Sequence, residues 1–306
     1  MANSQKSDLK EIKDFLTSNF SDNIGDVLQL NCGERSKAFS FVSCGIKYVF
    51  RMNNHDNGFK KDEFAFKHFS EKVPIPKILK IGTFKDSFYS ISGLCLGNPL
   101  IDGNKELPSV QVESIISAAD QIHSVSVPKF TNFGVADING AAVYKSWEKW
   151  IFKKNTVVTK DDGSFYSWEE VEKIPFVDEK TIKSLAVQIK KLVHFVPEER
   201  YLIHGDFGPG NIMINNDLVT GVIDWNEFGY GDFLFDIAWL DFWISKTNFS
   251  KAYKSHFQKK NQNIPFYEER LMCHKLFIGL NTLGIYATID WEGGYKSTLD
   301  RINNLG

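Results

Sequence analysis

One stretch, residues 201–228, constrains this 306-residue chain more than any other. An apolar run from Tyr201 to Ile203 delivers His204, Asp206 and Asn211 onto a loop rich in Gly and Pro (Gly205, Gly208, Pro209, Gly210). A second apolar run, Asn211 to Ile214, follows at once, then an Asn215-Asn216-Asp217 turn, then Thr220 to Ile223 ending in Asp224. Short apolar runs bounded by Gly, Pro, Asn and Asp read as strands joined by turns. They place a carboxylate, a carboxamide and a second carboxylate at strand ends. Oxygen ligands of this kind suit Mg²⁺ carrying a nucleotide's phosphates. The arrangement predicts metal-assisted phosphoryl transfer: Asp206 orients and deprotonates an attacking hydroxyl, while Asn211 and Asp224 hold the metal.

A His-x-Asp fragment alone is common, and Asn or Asp in turns more often caps local backbone. The joint pattern is more specific, because Asp-x-x-x-x-Asn is the protein-kinase catalytic-loop spacing and Asp224 stands where the kinase metal-binding Asp would. Composition sets outer bounds. With 42% hydrophobic and 24% charged residues, the chain is an ordinary globular one, long enough for a large domain or two lobes. A net charge of −2 and the lack of a Lys/Arg block argue against nucleic acid as a partner. The N-terminus lacks a signal-peptide apolar core and no segment approaches a membrane span, so a cytoplasmic enzyme with no membrane partner is expected. The cysteines, Cys32, Cys44, Cys95 and Cys273, are scattered, which leaves metal and redox motifs unsupported.

Along the first third, residues 7–19 carry Leu9, Ile12, Phe15 and Leu16 at helical spacing. Residues 27–51 read as strands around a polar turn, with Ser36 as a candidate phosphate-contacting hydroxyl and Gly33 as the turn's one glycine. Arg51 closes the third strand. The amphipathic helix after it opens with acids, of which Asp62 is the first choice of partner for Arg51 and Glu63 the second. Such a pair fixes a cation against the α- and β-phosphates. Val73 to Leu79 is extended and stiffened by Pro74 and Pro76. Phe88 to Ile91 makes a strand running into Ser92-Gly93-Leu94, whose backbone groups are candidates for adenine edges, and Gly97 marks the lobe boundary. The expected domains are an N-terminal nucleotide-binding lobe, 1–97, and a C-terminal catalytic and substrate-binding lobe, 98–306.

The second lobe reads as mostly helical. Residues 109–125, 179–195, 233–243 and 267–289 have helical apolar spacing, and 145–153 is rich in core-forming aromatics. Residues 161–164, Asp-Asp-Gly-Ser, mark an exposed turn.

These residues bring a family into view. His204-Gly205-Asp206-Phe207-Gly208-Pro209-Gly210-Asn211 with Val222-Ile223-Asp224-Trp225 resembles the signature of the aminoglycoside phosphotransferases. Gly33 to Phe41, Tyr48-Val49-Phe50-Arg51, Pro74-Ile75-Pro76, Asp224-Trp225-Asn226-Glu227 and the run from Arg270 to Leu280 look like its hygromycin B branch. The likeness spans Val27 to Asp290. It implies an α+β, bilobal, protein-kinase-like fold with a small β-rich N-lobe and a larger, mostly helical C-lobe. It further implies transfer of the γ-phosphoryl group of ATP (or GTP), with Mg²⁺, to an antibiotic hydroxyl. Residue by residue, it implies Asp206 as base, Asn211 and Asp224 as metal ligands, and Arg51 as phosphate contact positioned by Asp62. Ser36 falls in the phosphate flap and Ser92, Gly93 and Leu94 in the hinge. His204 becomes an orienter of the loop, and Asp232 a brace for it. Three departures stand out, the first being that the residues around Trp239 to Asp241, a substrate-facing region in this reading, differ from that branch. Arg51 replaces the Lys commoner in the family, as in the hygromycin branch, and Gly208-Pro209-Gly210 is less polar than that branch's loop.

A cationic aminocyclitol needs an acidic cleft, and Glu227, Asp236 and Asp241 follow the metal-binding strand as candidate substrate contacts. Trp147 and Trp243 are better read as core than as sugar platforms. A kinase of another alcohol (a macrolide, choline, a sugar or homoserine) would use the same centre with different walls. A catalytically silent kinase-like protein would have no need of Asp206, Asn211 and Asp224 together. A monomer is expected.

Overall fold

A computed structural model of the chain describes residues 2–30, 37–100, 105–152, 156–159 and 165–305. Ser36 and Gly33, proposed for the phosphate flap, and the turn at 161–164 lie outside the described residues. The first part comprises α1 (Ala2–Asn19), β1 (Ile24–Leu30), β2 (Lys37–Ser43), β3 (Ile46–Asn53), α2 (Asn57–Phe69), β4 (Ile78–Phe84) and β5 (Ser87–Gly93). The strands form one antiparallel sheet in the order β1-β2-β3-β5-β4. One sheet face buries Phe39, Phe41, Phe50, Tyr89 and Ile91 against Ile12 and Leu16 of α1. Ile12 and Leu16 are one turn apart, so both fall on the helix face that meets the sheet. Aromatic rings knit the layer, with Phe50 stacked on Tyr89 at 5.2 Å and Phe41 on Tyr48 at 5.4 Å.

After this sheet come β6 (Asn98–Pro99), α3 (Ser109–His123), β7 (Gly134–Val135), α4 (Trp147–Ile151), β8 (Thr156–Thr159), β9 (Phe165–Ser167), α5 (Trp168–Val171) and α6 (Glu179–Leu192). The site elements follow: β10 (Tyr201–Ile203), β11 (Ile212–Asn215), β12 (Leu218–Val222) and β13 (Gly229–Gly231). Four helices complete the chain: α7 (Leu234–Trp243), α8 (Phe249–Lys259), α9 (Tyr267–Thr288) and α10 (Glu292–Asn303). The helix expected to run to residue 195 stops at Leu192, and Val193–Phe195 tightens into a 3₁₀ turn. This portion has its own large apolar cluster, built on α3, α6, α7 and α9 and including the fully buried Trp147 and Trp225. The fold is therefore the α+β, protein-kinase-like arrangement of an antiparallel sheet joined to a mostly helical body.

Helix α2 joins the two cores. It belongs by sequence to the first part, yet Ala65 and Phe69 lie in the large cluster and Phe64 stacks on Phe228 at 5.6 Å. The linker after β5 is fastened as well. Asn98–Pro99 pairs with Ile214 and Met213 of β11, and the Leu100 N–H donates to the Ile212 carbonyl at 3.0 Å. Gly97 makes that approach possible. Its φ is +90°, and a Cβ there would sit 1.9 Å from the Ile214 carbonyl oxygen.

Candidate active site

Strands β11 and β12 form an antiparallel hairpin, and β10 pairs with β13 in a second small sheet. The loop from His204 to Asn211 thus leaves one sheet and enters the other, which fixes both of its ends. Gly205 turns it with φ +81°, and a Cβ there would lie 2.1 Å from the Glu227 carbonyl oxygen. The loop is consequently pressed against the segment following Asp224.

Within the loop, the Asn211 carboxamide N–H₂ donates to the Asp206 backbone carbonyl at 2.9 Å and to its carboxylate Oδ2 at 3.0 Å. Both bonds use Asn211 Nδ2, so its Oδ1 is left as an oxygen donor. Asp206 keeps some surface open to solvent, but dense surroundings and the neighbouring carboxylates of Asp224 and Glu227 push its pKa up to about 7. The Asn211 hydrogen bond opposes that rise without cancelling it. Asp224 is exposed and holds a left-handed backbone at φ 63°, uncommon for a residue other than Gly. Desolvation and the charge of Asp62 raise its pKa, while Arg51 and His204 pull it down.

Arg51, at the end of β3, forms an ion pair with Asp62 of α2. Burial lowers the Arg51 pKa, but the Asp62 charge and hydrogen bond outweigh it, and the guanidinium stays charged. The other Asp62 oxygen, Oδ1, accepts the Trp225 N–H at 2.8 Å. One buried carboxylate therefore ties the strand-end cation to the residue after Asp224. Glu63 pairs with Lys67 one turn along and is not that partner. Lys61 reinforces the joint: its ammonium donates to the Asn226 carbonyl at 2.5 Å, although burial lowers its pKa.

His204 is fully buried. Its Nε2 lies 3.1 Å from the Ile223 carbonyl, which can only accept, so Nε2 carries the proton. Its Nδ1 accepts the Asp206 N–H at 3.3 Å. Burial lowers its pKa. A neutral ring with both nitrogens held by backbone has no proton to exchange with a substrate.

Three expectations are corrected. Asp236 does not face a cleft. It is fully buried at the start of α7, where its Oδ2 accepts the His204 N–H at 2.9 Å and its Oδ1 the Gly205 N–H at 3.0 Å. It takes the bracing role expected of Asp232. Asp232 instead forms a buried cluster with Arg270 (Nη2 to Oδ1, 2.5 Å) and His274 (Nε2 to Oδ2, 2.8 Å). Burial alone would raise the Asp232 pKa, but those two partners hold it below the usual carboxylate range. Asp241 is spent on Lys275 at 2.8 Å and on the Ser250 N–H at 3.0 Å. Glu227 alone of the three substrate candidates is exposed beside Asp206.

The hinge is corrected as well. Ser92 is buried inside the sheet, flanked by Val49 of β3 and Ile78 of β4. The groups lining a cavity of about 300 Å³ are Gly93, Leu94, Cys95 and Leu96, with Pro74–Pro76 and Thr220. The N–H groups of Gly93 and Leu94 are already donated to Lys77 and Lys47 carbonyls, at 3.0 and 3.3 Å. The charge of Arg51 opposes a rise in the pKa of the Cys95 thiol. Desolvation raises that thiol to about 11.

Sequence reasoning missed Asp236 as the loop's brace and Lys61 as a clamp. For Asp236 a signal existed: an acid inside the apolar run Phe233 to Trp243 is buried by its neighbours, and a buried carboxylate must find donors. For Lys61 there was none.

Among the described residues no cluster of three or more His, Cys, Asp or Glu could cage an ion. Asp224 and the Asn211 carbonyl are hard oxygen donors, and Mg²⁺ commonly takes one or two carboxylates and completes its shell with water and phosphate. The residues fit that cation and no thiolate- or imidazole-seeking one.

Residues 45–269 match the Phosphotransferase enzyme family. The chain is 32% identical over 278 residues to the hygromycin-B 4-O-kinase of Escherichia coli, covering 89% of this chain and 77% of that protein. Among solved structures, a thermostable mutant of aminoglycoside phosphotransferase APH(4)-Ia, in ternary complex with AMP-PNP and hygromycin B, superposes with a TM-score of 0.78 at 27% identity, covering 96% of this chain and 97% of that one. Choline kinase LicA from Streptococcus pneumoniae shares the fold, with a TM-score of 0.62 at 14% identity over 96% of this chain and 98% of its own. No helix among the described residues is long and apolar enough to cross a membrane. The chain belongs to the phosphotransferase enzyme family.

Proposed function

We propose that this chain transfers the γ-phosphoryl group of ATP to a hydroxyl of an aminoglycoside or aminocyclitol of the hygromycin B type. The observation that carries the reading is the Asp206 carboxylate, held by Asn211 and raised to about 7 beside Asp224. A base with a pKa near neutral pH can take a hydroxyl proton while a substantial fraction of it is still ionised. Support for the acceptor comes from the relatives: one is a hygromycin-B kinase, and a second was captured with hygromycin B and a nucleotide analogue.

In this reading Asp206 orients the acceptor hydroxyl and accepts its proton. Asp224 and Asn211 Oδ1 would hold Mg²⁺, which when bound would neutralise the phosphate charge. Arg51, aimed by Asp62, contacts the α- and β-phosphates, and an Arg fork can engage two oxygens at once. Backbone groups of Gly93 to Leu96 line the base pocket. Glu227, exposed beside Asp206, adds to a negative mouth that attracts a polycation. We set the lobe boundary near Gly97, where the sheet ends and the linker joins β11. The cytoplasm, where ATP is supplied, is the place of action in this proposal.

The test is ADP release coupled to an indicator, with hygromycin B, other aminoglycosides, choline and no acceptor, with and without EDTA. Mg²⁺-dependent release stimulated by hygromycin B is expected. Stimulation by choline and by no aminoglycoside would overturn the acceptor class.

A further inference from the structure

The segment between β7 and α4 supplies none of the groups assigned above to nucleotide, metal or acceptor, yet it reaches α2. Residues 137–141, Asp-Ile-Asn-Gly-Ala, close a tight turn on themselves. The Asp137 N–H donates to the Ala141 carbonyl at 2.9 Å, and the Gly140 N–H donates to the Asp137 carbonyl at 3.0 Å. Asp137 Oδ1 accepts the Asn139 and Ala141 N–H groups at 2.8 and 2.9 Å. A carboxylate bonded to the backbone that follows it fixes the shape of such a turn. The turn is also fastened to the helical body. Val135 pairs with Gly229 of β13, the Ala136 N–H donates to the Phe228 carbonyl at 2.9 Å, and the Tyr230 hydroxyl donates to the Gly140 carbonyl at 3.0 Å.

Gly140 meets Phe64 of α2. Its φ is +76°, and a Cβ there would sit 2.1 Å from Phe64 Cζ, so only a residue without a side chain lets the turn approach the ring. The same ring stacks on Phe228 at 5.6 Å, 12° from parallel. Phe64 is thus clasped between the turn and Phe228. Lys61, three residues earlier and on the same helix face, donates to the Asn226 carbonyl and lies 5.8 Å from the Phe228 ring centre. Burial pulls the Lys61 pKa down, and the charges of Glu227 and then Asp137 push it back up. The turn therefore acts on this face of α2 by packing and by charge. Asp62 and Phe64 leave the helix roughly 200° apart, at about 100° per residue, so the ring grips the side that Asp62 does not. Asp62 must keep one oxygen on Arg51 and the other on the Trp225 N–H, a double contact that tolerates little roll of α2 about its axis.

We propose that turn 137–141, through Gly140 and Phe64, is a positioning element for the nucleotide: it sets the roll of α2 at which Asp62 aims Arg51. This rests on the reading of Arg51 as the phosphate contact. Carbon atoms in contact lie about 3.5–4.0 Å apart, so a methyl group at position 140 would drive Phe64 back by more than about 1 Å. A displacement of that order at a functional group costs up to roughly a hundredfold. The ordinary alternative is a glycine that makes room for a core ring and does nothing more. It would have the same contacts, but its loss would not act on ATP while sparing the acceptor.

The experiment compares wild type with Gly140→Ala, Phe64→Ala and the double variant, measuring kcat, the KM for ATP and for hygromycin B, the Kd for Mg·ATP by calorimetry, and the thermal midpoint. Expected in each single variant is a KM and Kd for ATP about tenfold higher, since the ring can yield part of the way. The kcat and the KM for hygromycin B should stay within about threefold of wild type. In the double variant the methyl group occupies space the ring has left, so the rise should stay near tenfold instead of multiplying to about a hundredfold. A space-filling role predicts lower midpoints with both KM values unchanged in the folded fraction, or raised alike. Either pattern overturns the proposal, as does an ATP Kd within twofold of wild type in Gly140→Ala, or effects that multiply in the double variant. Should Gly140→Ala not fold, an ATP Kd within twofold of wild type in Phe64→Ala overturns it instead. Wild type that binds Mg·ATP and phosphorylates no acceptor would refute the functional reading, while the calorimetric series still decides this one. Wild type that binds no Mg·ATP would refute both.

Discussion

Asp62→Asn is a sharp probe of the site because it changes one half of a two-ended contact. The asparagine keeps the shape and retains an oxygen for the Trp225 N–H, 2.8 Å away. It turns an N–H₂ group toward the Arg51 guanidinium in place of Oδ2, setting donor against donor. Removing one partner of a buried ion pair costs about 3–5 kcal/mol. The Arg51 side chain is 21% exposed against 6% for Asp62, so water recovers part of the lost solvation and the lower end applies. About 3 kcal/mol corresponds to roughly a hundredfold, since each factor of ten is worth about 1.4 kcal/mol. We expect kcat/KM for ATP to fall by about that factor, mostly through KM, because Arg51 loses the contact that aims it. Asp62→Ala should fall about fivefold further, having lost the Trp225 bond as well, worth about 1 kcal/mol. The assay is ADP release against ATP concentration at saturating acceptor, with a thermal melt to correct for unfolded protein. An Asp62→Asn enzyme within threefold of wild type would refute the coupling of Arg51 to the segment that follows Asp224.

Other consequences follow from the same geometry. With Asp206 at about 7, kcat/KM should rise about tenfold per pH unit below 7 and level off above it, read from a pH–rate profile. The stability linkage has the opposite sense: a carboxyl whose folded pKa lies above its unfolded value favours the folded state at low pH, and that contribution is lost as pH rises from about 4 to about 7. Gly97→Ala should lower stability by more than about 3 kcal/mol in urea titration, because its Cβ meets the Ile214 carbonyl at positive φ, whereas Gly210→Ala, with nothing within 4 Å, should change it by less than about 1 kcal/mol. Asp232→Asn should destabilise by about 3–5 kcal/mol at neutral pH by stranding the buried Arg270. Since the Asp232 pKa is held low, the stability it supplies is present above the unfolded value near 4 and is lost as pH falls below it.

Much of the candidate site was legible in the sequence because its chemistry demands particular side chains at strand ends. Asp206, Asn211 and Asp224 lie on two adjoining turns, and local spacing suffices to bring them together. Arg51 and Asp62 were legible as a strand-end cation and an acid in the next helix. The acids beyond the hairpin were not. Asp232, Asp236 and Asp241 are alike in sequence, and only the docking of α3, α8 and α9 decides which meets the loop, which meets Arg270 and which meets Lys275. Ser92 misled for a similar reason. In sequence it is the end of a strand entering a linker, with backbone groups to offer, but the order β3-β5-β4 makes its strand an interior one.

The central claim is that Asp206 accepts the proton of an acceptor hydroxyl while a nucleotide is held by other residues. Its most direct test is single-turnover transfer of labelled γ-phosphate from ATP to hygromycin B by wild type and Asp206→Ala, with nucleotide affinity measured on the same samples. The account predicts a loss of about 10²–10⁴-fold in the transfer step with ATP affinity within about threefold of wild type. Near-wild-type transfer by Asp206→Ala would contradict it.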